Sequence, residues 1–162
     1  MTKVYHGSIE EVRTPEIRQP KHSLDYGAGF YATTSFEQAQ KWVKRRMKER
    51  GVMVGYINVY DLNKEAIQCM KSLIFDKPTE EWVNFVMKNR TDRDFSHDYD
   101  IVYGPVADDS VYTQFTLYEG GIISMPTLIL ELKTYKLVDQ YLFHTEASLQ
   151  AIKFVESIKI EQ

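Results

Sequence analysis

Three short segments of this chain hold residue types that could do chemistry together. The first is Tyr5-His6-Gly7-Ser8. A histidine at the end of a strand can donate to a ribose hydroxyl. The glycine after it leaves its N–H and C=O open to a planar amide, because no side chain blocks the approach. The second is Tyr26-Gly27-Ala28-Gly29-Phe30-Tyr31-Ala32-Thr33-Thr34-Ser35, followed by a helical stretch carrying Trp42. Tyr31 and Trp42 stand eleven positions apart, one on a strand and one near the middle of the next helix. Two rings so placed could sandwich a flat heteroaromatic ring, with stacking of about 1 kcal/mol per contact. The third is Asp139-Gln140-Tyr141-Leu142-Phe143-His144-Thr145-Glu146, where polar Gln140 heads an alternating strand and points into a cleft. Each segment alone has a plainer reading: a satisfied surface histidine, two core aromatics, an edge-strand glutamine.

The other polar residues suggest less. His22, His97 and His144 have no metal-ligand spacing, so no metal is expected. Cys69 lacks a basic neighbour in sequence and reads as a packing residue. Gly27–Gly29 opens a strand rather than a helix, so it is not a phosphate loop of the P-loop type. Lys41, Lys44, Arg45, Arg46, Lys48 and Arg50 cluster on one predicted helix. They read either as a solvated helix face or as an attractor of nucleotide or nucleic-acid phosphates. Residues 1–50 hold ten Lys/Arg against six Asp/Glu, and residues 51–162 hold ten against seventeen. The net charge of −3 argues against a strongly basic nucleic-acid binder.

The elements that must position these groups read as α+β. Lys3–His6 alternates and forms a first strand. Residues 9–28, with Pro15, Pro20 and Gly27, are loop. Gly29–Ala32 is a short buried strand. Thr33, Thr34 and Ser35 offer an N-cap to a helix with Phe36, Ala39, Val43 and Met47 at helical spacing, and Gly51 stops it. Val52–Tyr60 is a central strand. Helices follow at Lys64–Leu73 and Pro78–Arg90, then a strand at Asp100–Tyr103. Helices are expected at Asp109–Glu119 and Thr127–Tyr135, a strand at Gln140–His144, a short helix at Thr145–Ala151 and a last strand at Phe154–Ile160. No βαβ rhythm runs through this order, which argues against a doubly wound sheet.

At 162 residues, 43% hydrophobic and 27% charged, the chain suits one folded domain over 1–162 and not a disordered scaffold. A single cysteine cannot make an internal bridge, which points to a reducing cytoplasm. The start lacks an apolar signal core, and no run of 18 apolar residues suggests a membrane span.

Taken together, the three segments resemble the ADP-ribosyltransferase superfamily. The branch is that of the poly(ADP-ribose) polymerases and diphtheria toxin, marked by a His, a Tyr and a Glu on three strands. His6-Gly7-Ser8 matches its first motif. Gly27-Ala28-Gly29-Phe30-Tyr31-Ala32 resembles its Gly-x-Gly-[Ile/Val]-Tyr-Phe-Ala element, and Trp42 sits where the branch places a second stacking aromatic. Asp139–Phe143 resembles its Asn-Glu-Tyr-x-[Val/Ile]-Tyr strand. The chain is also similar to a family of small bacterial proteins of unknown function, often encoded beside a small partner as in toxin–antitoxin pairs. There the segment Asp100–Asp109 and the closing Gln-Tyr-x-Phe-x-Thr-Glu pattern correspond.

The resemblance implies a split β-sheet fold, two abutting, mostly antiparallel sheets with flanking helices, and NAD as substrate. It implies that His6 bonds an NAD ribose hydroxyl and that the backbone of Gly7 holds the nicotinamide carboxamide. Tyr31 and Trp42 would stack on the ring, Ser8 would assist at the adenosine side, and Gln140 would take the catalytic glutamate position near the 2′-hydroxyl. Breaking the nicotinamide–ribose bond makes an oxocarbenium-like centre, as in glycoside hydrolysis. Gln140 departs from the branch. A neutral amide bonds a hydroxyl more weakly than a carboxylate and cannot be a general base. That favours transfer of one ADP-ribose over polymer extension. Asp109 and Glu146 are the candidates for an auxiliary carboxylate, and each also reads as a helix-start residue. Ala39 is a second departure, where many relatives carry a hydroxyl.

The expected function is therefore NAD-dependent mono-ADP-ribosylation of a protein or nucleic-acid acceptor, as a cytoplasmic bacterial effector or toxin held by a small antitoxin. One alternative is an inactive module that binds NAD or ADP-ribose. Another is a nucleic-acid or partner-binding domain using the basic helix.

Overall fold

The computed structural model describes residues 2–18 and 24–161. Seven strands form two sheets. The first sheet contains β1 (Thr2–Ser8), β3 (Val54–Leu62) and β7 (Ile152–Glu161), antiparallel in the order β1-β3-β7. The second contains β2 (Phe30–Ala32), β4 (Ser72–Ile74), β5 (Ile101–Pro105) and β6 (Asp139–Phe143), in the order β2-β6-β5-β4. Its β4–β5 pair is parallel and the others antiparallel.

The strand period of two explains how these sheets stack. Val4, Tyr60, Leu62 and Ile152 of the first sheet pack against Phe30, Ala32, Ile101, Tyr141 and Phe143 of the second, forming a core between them. The outer face of the first sheet is covered by α1 (Phe36–Arg50), whose Ala39, Val43 and Met47 are fully buried beside Ile57. The outer face of the second carries Val102 and Leu142. It is covered by α3 (Glu80–Thr91), α4 (Asp109–Glu119) and α5 (Met125–Leu132) through Trp82, Val83, Val86, Val111, Phe115, Leu128 and Leu132.

Local chemistry sets the helix ends. Ser35 Oγ accepts from Gln38 N and Gly51 closes α1 at φ 65°, as its position in sequence predicts. Three expectations fail. The predicted helix Lys64–Leu73 stops early: α2 (Lys64–Gln68) ends at Cys69, and Ser72–Ile74 becomes β4. Parallel pairing with β5, and Asp100 accepting from Lys71 N at 3.0 Å, outweigh the local helical pattern. Cys69 is exposed rather than packed, because the helix ends there. Asp108, not Asp109, caps α4, accepting from Val111 N at 3.0 Å. Among the described residues no helix is long and apolar enough to cross a membrane, and no His/Cys/Asp/Glu group is arranged to hold a metal.

Candidate functional site

Among the described residues one rung stitches the two sheets. Tyr5 and Thr33 exchange both backbone hydrogen bonds, Tyr5 N to Thr33 O at 2.8 Å and Thr33 N to Tyr5 O at 2.9 Å. Backbone groups alternate sides along a strand. Tyr5 therefore faces away from β3, and so do the N–H and C=O of Gly7. No further rung forms past Tyr5, so those groups line the gap where β1 parts from β2. A side chain at position 7 would not fit on the other axis: a Cβ there would lie 2.6 Å from Ala39 O and 2.8 Å from Val43 Cγ2. Glycine thus lets one turn of α1 rest on the strand, and that turn carries half-buried Trp42.

His6 spans the same gap. Its Nδ1 lies 2.6 Å from Tyr31 O, and its ring stacks on Phe30 with centroids 4.1 Å apart. A carbonyl only accepts, so Nδ1 carries the hydrogen and Nε2 is left as an acceptor. Burial pushes the imidazole down to about 4. The Tyr31 carbonyl opposes this, and the charges of Arg46 and Arg18 add to it. A neutral His6 therefore presents Nε2 as a hydrogen-bond acceptor. Behind it, fully buried Asn58 fixes the end of β1: its Nδ2 donates to His6 O and Glu10 O, and its Oδ1 accepts from Val12 N and Ser157 Oγ. Ser8 Oγ accepts from Glu10 N at 3.3 Å, within the turn that follows.

Tyr31 lies on the opposite face of β2 from the His6 ring and packs toward the helices. Its hydroxyl donates to Gly27 O at 2.6 Å and accepts from Tyr26 N at 3.1 Å. Burial raises it well above the ordinary tyrosine value, so it stays protonated. The joint with the segment before β2 is firm. Tyr26, fully buried, donates to Pro105 O at 2.7 Å and accepts from Trp82 Nε1 at 2.9 Å. His97 Nε2 and His144 Nδ1 lie 2.7 and 2.6 Å from the carbonyls of Tyr26 and Ala28.

Gln140 follows one step past the last β2–β6 pair, Ala32 with Tyr141, and is 4% exposed. Its Nε2 donates to Asp25 Oδ2 at 3.1 Å and faces Pro105 O at 3.5 Å. Asp25 was invisible as a site residue in sequence, where it looks like a solvated loop carboxylate beside Gly27. In space it is 8% exposed and gathers Arg90 at 3.2 Å, the Tyr112 hydroxyl and Ala107 N at 3.3 Å. Arg90 also lies over the Tyr112 ring, 4.1 Å from its centroid.

His6, Gly7 and the α1 turn bearing Trp42 thus meet where the sheets part, while Tyr31 lies on the other face of β2 and Gln140 one rung from the junction. Trp42 makes no ring contact among the described residues. Glu146 is exposed, past the far end of β6 from Gln140, and makes no side-chain cap. The Asp109 side chain and His22 lie outside what is described. All six cations of α1 are exposed. A shallow groove of about 690 Å³ lies elsewhere, lined by Glu80 of α3 and by Met125, Pro126, Ile129, Leu130 and Lys133 at α5, and includes none of these residues.

The arrangement defines an α+β protein of two facing sheets, with a histidine–glycine edge where they part. The chain belongs to the family described as a protein of unknown function, DUF3990, whose model matches residues 2–154. No curated protein and no solved structure matches it.

Proposed function

We propose that the chain is an NAD-dependent mono-ADP-ribosyltransferase of the split-sheet kind, acting on a protein or nucleic-acid acceptor and releasing nicotinamide. The observation that carries this reading is the single Tyr5–Thr33 rung, beyond which the Gly7 backbone faces an open gap spanned by His6. Paired N–H and C=O groups on a strand edge suit the carboxamide of nicotinamide, which needs one acceptor and one donor. In this reading the α1 turn over Gly7 brings Trp42, Tyr31 supplies a second ring from the other face of β2, and neutral His6 supplies an acceptor for a ribose hydroxyl. Such a site works by holding NAD bent and positioning the bond that breaks. The exposed cations of α1 make nucleic acid an acceptor to test beside protein, and an effector of this type fits control by a small neutralising partner.

The test is incubation with labelled NAD and bacterial lysate or nucleic acid, read as label incorporated and nicotinamide released. His6→Ala and Tyr31→Ala are each expected to lower incorporation by about tenfold or more, the loss of one positioning contact. Incorporation that survives both variants would overturn the reading.

One observation favours a second reading, an NAD or ADP-ribose binding module without turnover: position 140 holds a neutral amide already engaged by Asp25. Calorimetry decides between the two. NAD binding with no nicotinamide release selects the module.

A further inference from the structure

We propose that Asp25 supplies the negative charge that position 140 lacks, as a positioning residue acting through the side-chain amide of Gln140. The inference rests on the transfer reading above. The Asp25 carboxylate and Pro105 O beside Gln140 Nε2 only accept hydrogen bonds, and the Tyr26 hydroxyl adjoins the same side-chain amide. The amide nitrogen must therefore face them, and Oε1 must turn away. The two hydrogen bonds of the Gln140 side chain seen at atomic level both run from Nε2.

A carboxylate that accepts from an amide N–H polarises the group and raises the negative charge on its oxygen. Oε1 of Gln140 is thereby a stronger acceptor for a hydroxyl than the oxygen of a free glutamine. Arg90, Tyr112 and Ala107 N hold Asp25 from the other side, so the carboxylate is fixed in place. During reaction the bond between ribose C1′ and the nicotinamide nitrogen breaks, and its electron pair leaves with nicotinamide. The acceptor then bonds to C1′ and loses its proton to solvent. The Asp25–Gln140 pair gives and takes no proton. It holds the 2′-hydroxyl while positive charge develops on the sugar.

The same geometry accounts for the departure at position 140. A glutamate there would set a second carboxylate against Asp25, where 3.1 Å now separates donor and acceptor, and would delete the N–H between them.

Three proteins test this: Asp25→Asn, Gln140→Glu and the double variant, which moves the carboxylate to position 140. Each is measured for melting temperature, NAD affinity by calorimetry and nicotinamide release at saturating NAD. Asp25→Asn is expected to lower turnover by about tenfold while affinity changes by less than about threefold, a split that a purely structural role would not give. Gln140→Glu alone is expected to melt lower at pH 7 and to lose turnover. The double variant is expected to regain both. Turnover unchanged in Asp25→Asn, or above wild type in Gln140→Glu alone, overturns the proposal. So does a double variant no better than either single one, which decides the matter even where Asp25→Asn does not fold. Wild-type protein that releases no nicotinamide sinks the transfer reading and this inference with it. Rescue of melting in the double variant would then mark the pair as structural only.

Discussion

At the scale of single residues, His6 ties folding to pH. Its imidazole is pushed down to about 4 in the folded chain against an ordinary 6.5, chiefly by burial. The unfolded chain binds a proton here below about 6.5 that the folded chain refuses until about 4, so the stability is complete above that window and is lost as pH falls through it. His97 is lowered too, again chiefly by burial, and works in the same sense. The melting temperature is expected to fall between pH 6.5 and 4, and His6→Gln to flatten part of that fall. Parallel curves for the two proteins would exclude His6 as a source. His6, Gly7, Tyr31 and Gln140 stand out in the sequence because each lies in a short ordered motif. Asp25 does not. Its partners Arg90, Tyr112 and Gln140 lie 65, 87 and 115 positions away, and no local pattern announces a carboxylate that the fold will bury.

At the scale of elements, caps were the readable signals and short strands the unreadable ones. Ser35 and Gly51 bound α1 in sequence as in space. For α3 the sequence suggests Pro78 near the first turn, whereas the cap is Thr79, whose Oγ1 accepts from Trp82 N at 3.3 Å. Trp82 is fully buried and donates to the Tyr26 hydroxyl, so this cap also anchors the segment leading into β2. Thr79→Ala is expected to cost about 1 kcal/mol, measured by urea unfolding. No change in the midpoint would show that the cap is dispensable. Strand β4 could not be read from its three residues. Ser72-Leu73-Ile74 is extended because β5, 29 positions on, offers it a parallel edge.

At the scale of the whole molecule, the junction of the sheets rests on a narrow base, and Asp139 reinforces it. Its carboxylate accepts from the Thr33 hydroxyl at 3.0 Å, from Thr34 N at 2.9 Å and from its hydroxyl at 2.6 Å, and from the Tyr103 hydroxyl at 2.9 Å. These bonds clasp the residue that pairs with Tyr5 to β5 and β6. Asp139→Ala leaves Thr34 and the Tyr103 hydroxyl without this acceptor, while the Thr33 hydroxyl keeps the backbone carbonyl of residue 139, and is expected to cost about 2 kcal/mol in thermal unfolding. NAD affinity in calorimetry should fall alongside. A variant as stable as wild type would show that the Tyr5–Thr33 rung suffices. Sequence periodicity predicts the α+β class but not this pairing, since β2 meets β6 across more than a hundred positions. That separation also sets when the protein can assemble. The middle of one sheet needs β6, and the outer strand of the other is β7. On the ribosome, a nascent chain lacking residues 139–161 has β1 and β3 to pair but no seat for β2. The junction of the two sheets cannot be completed before those late residues emerge.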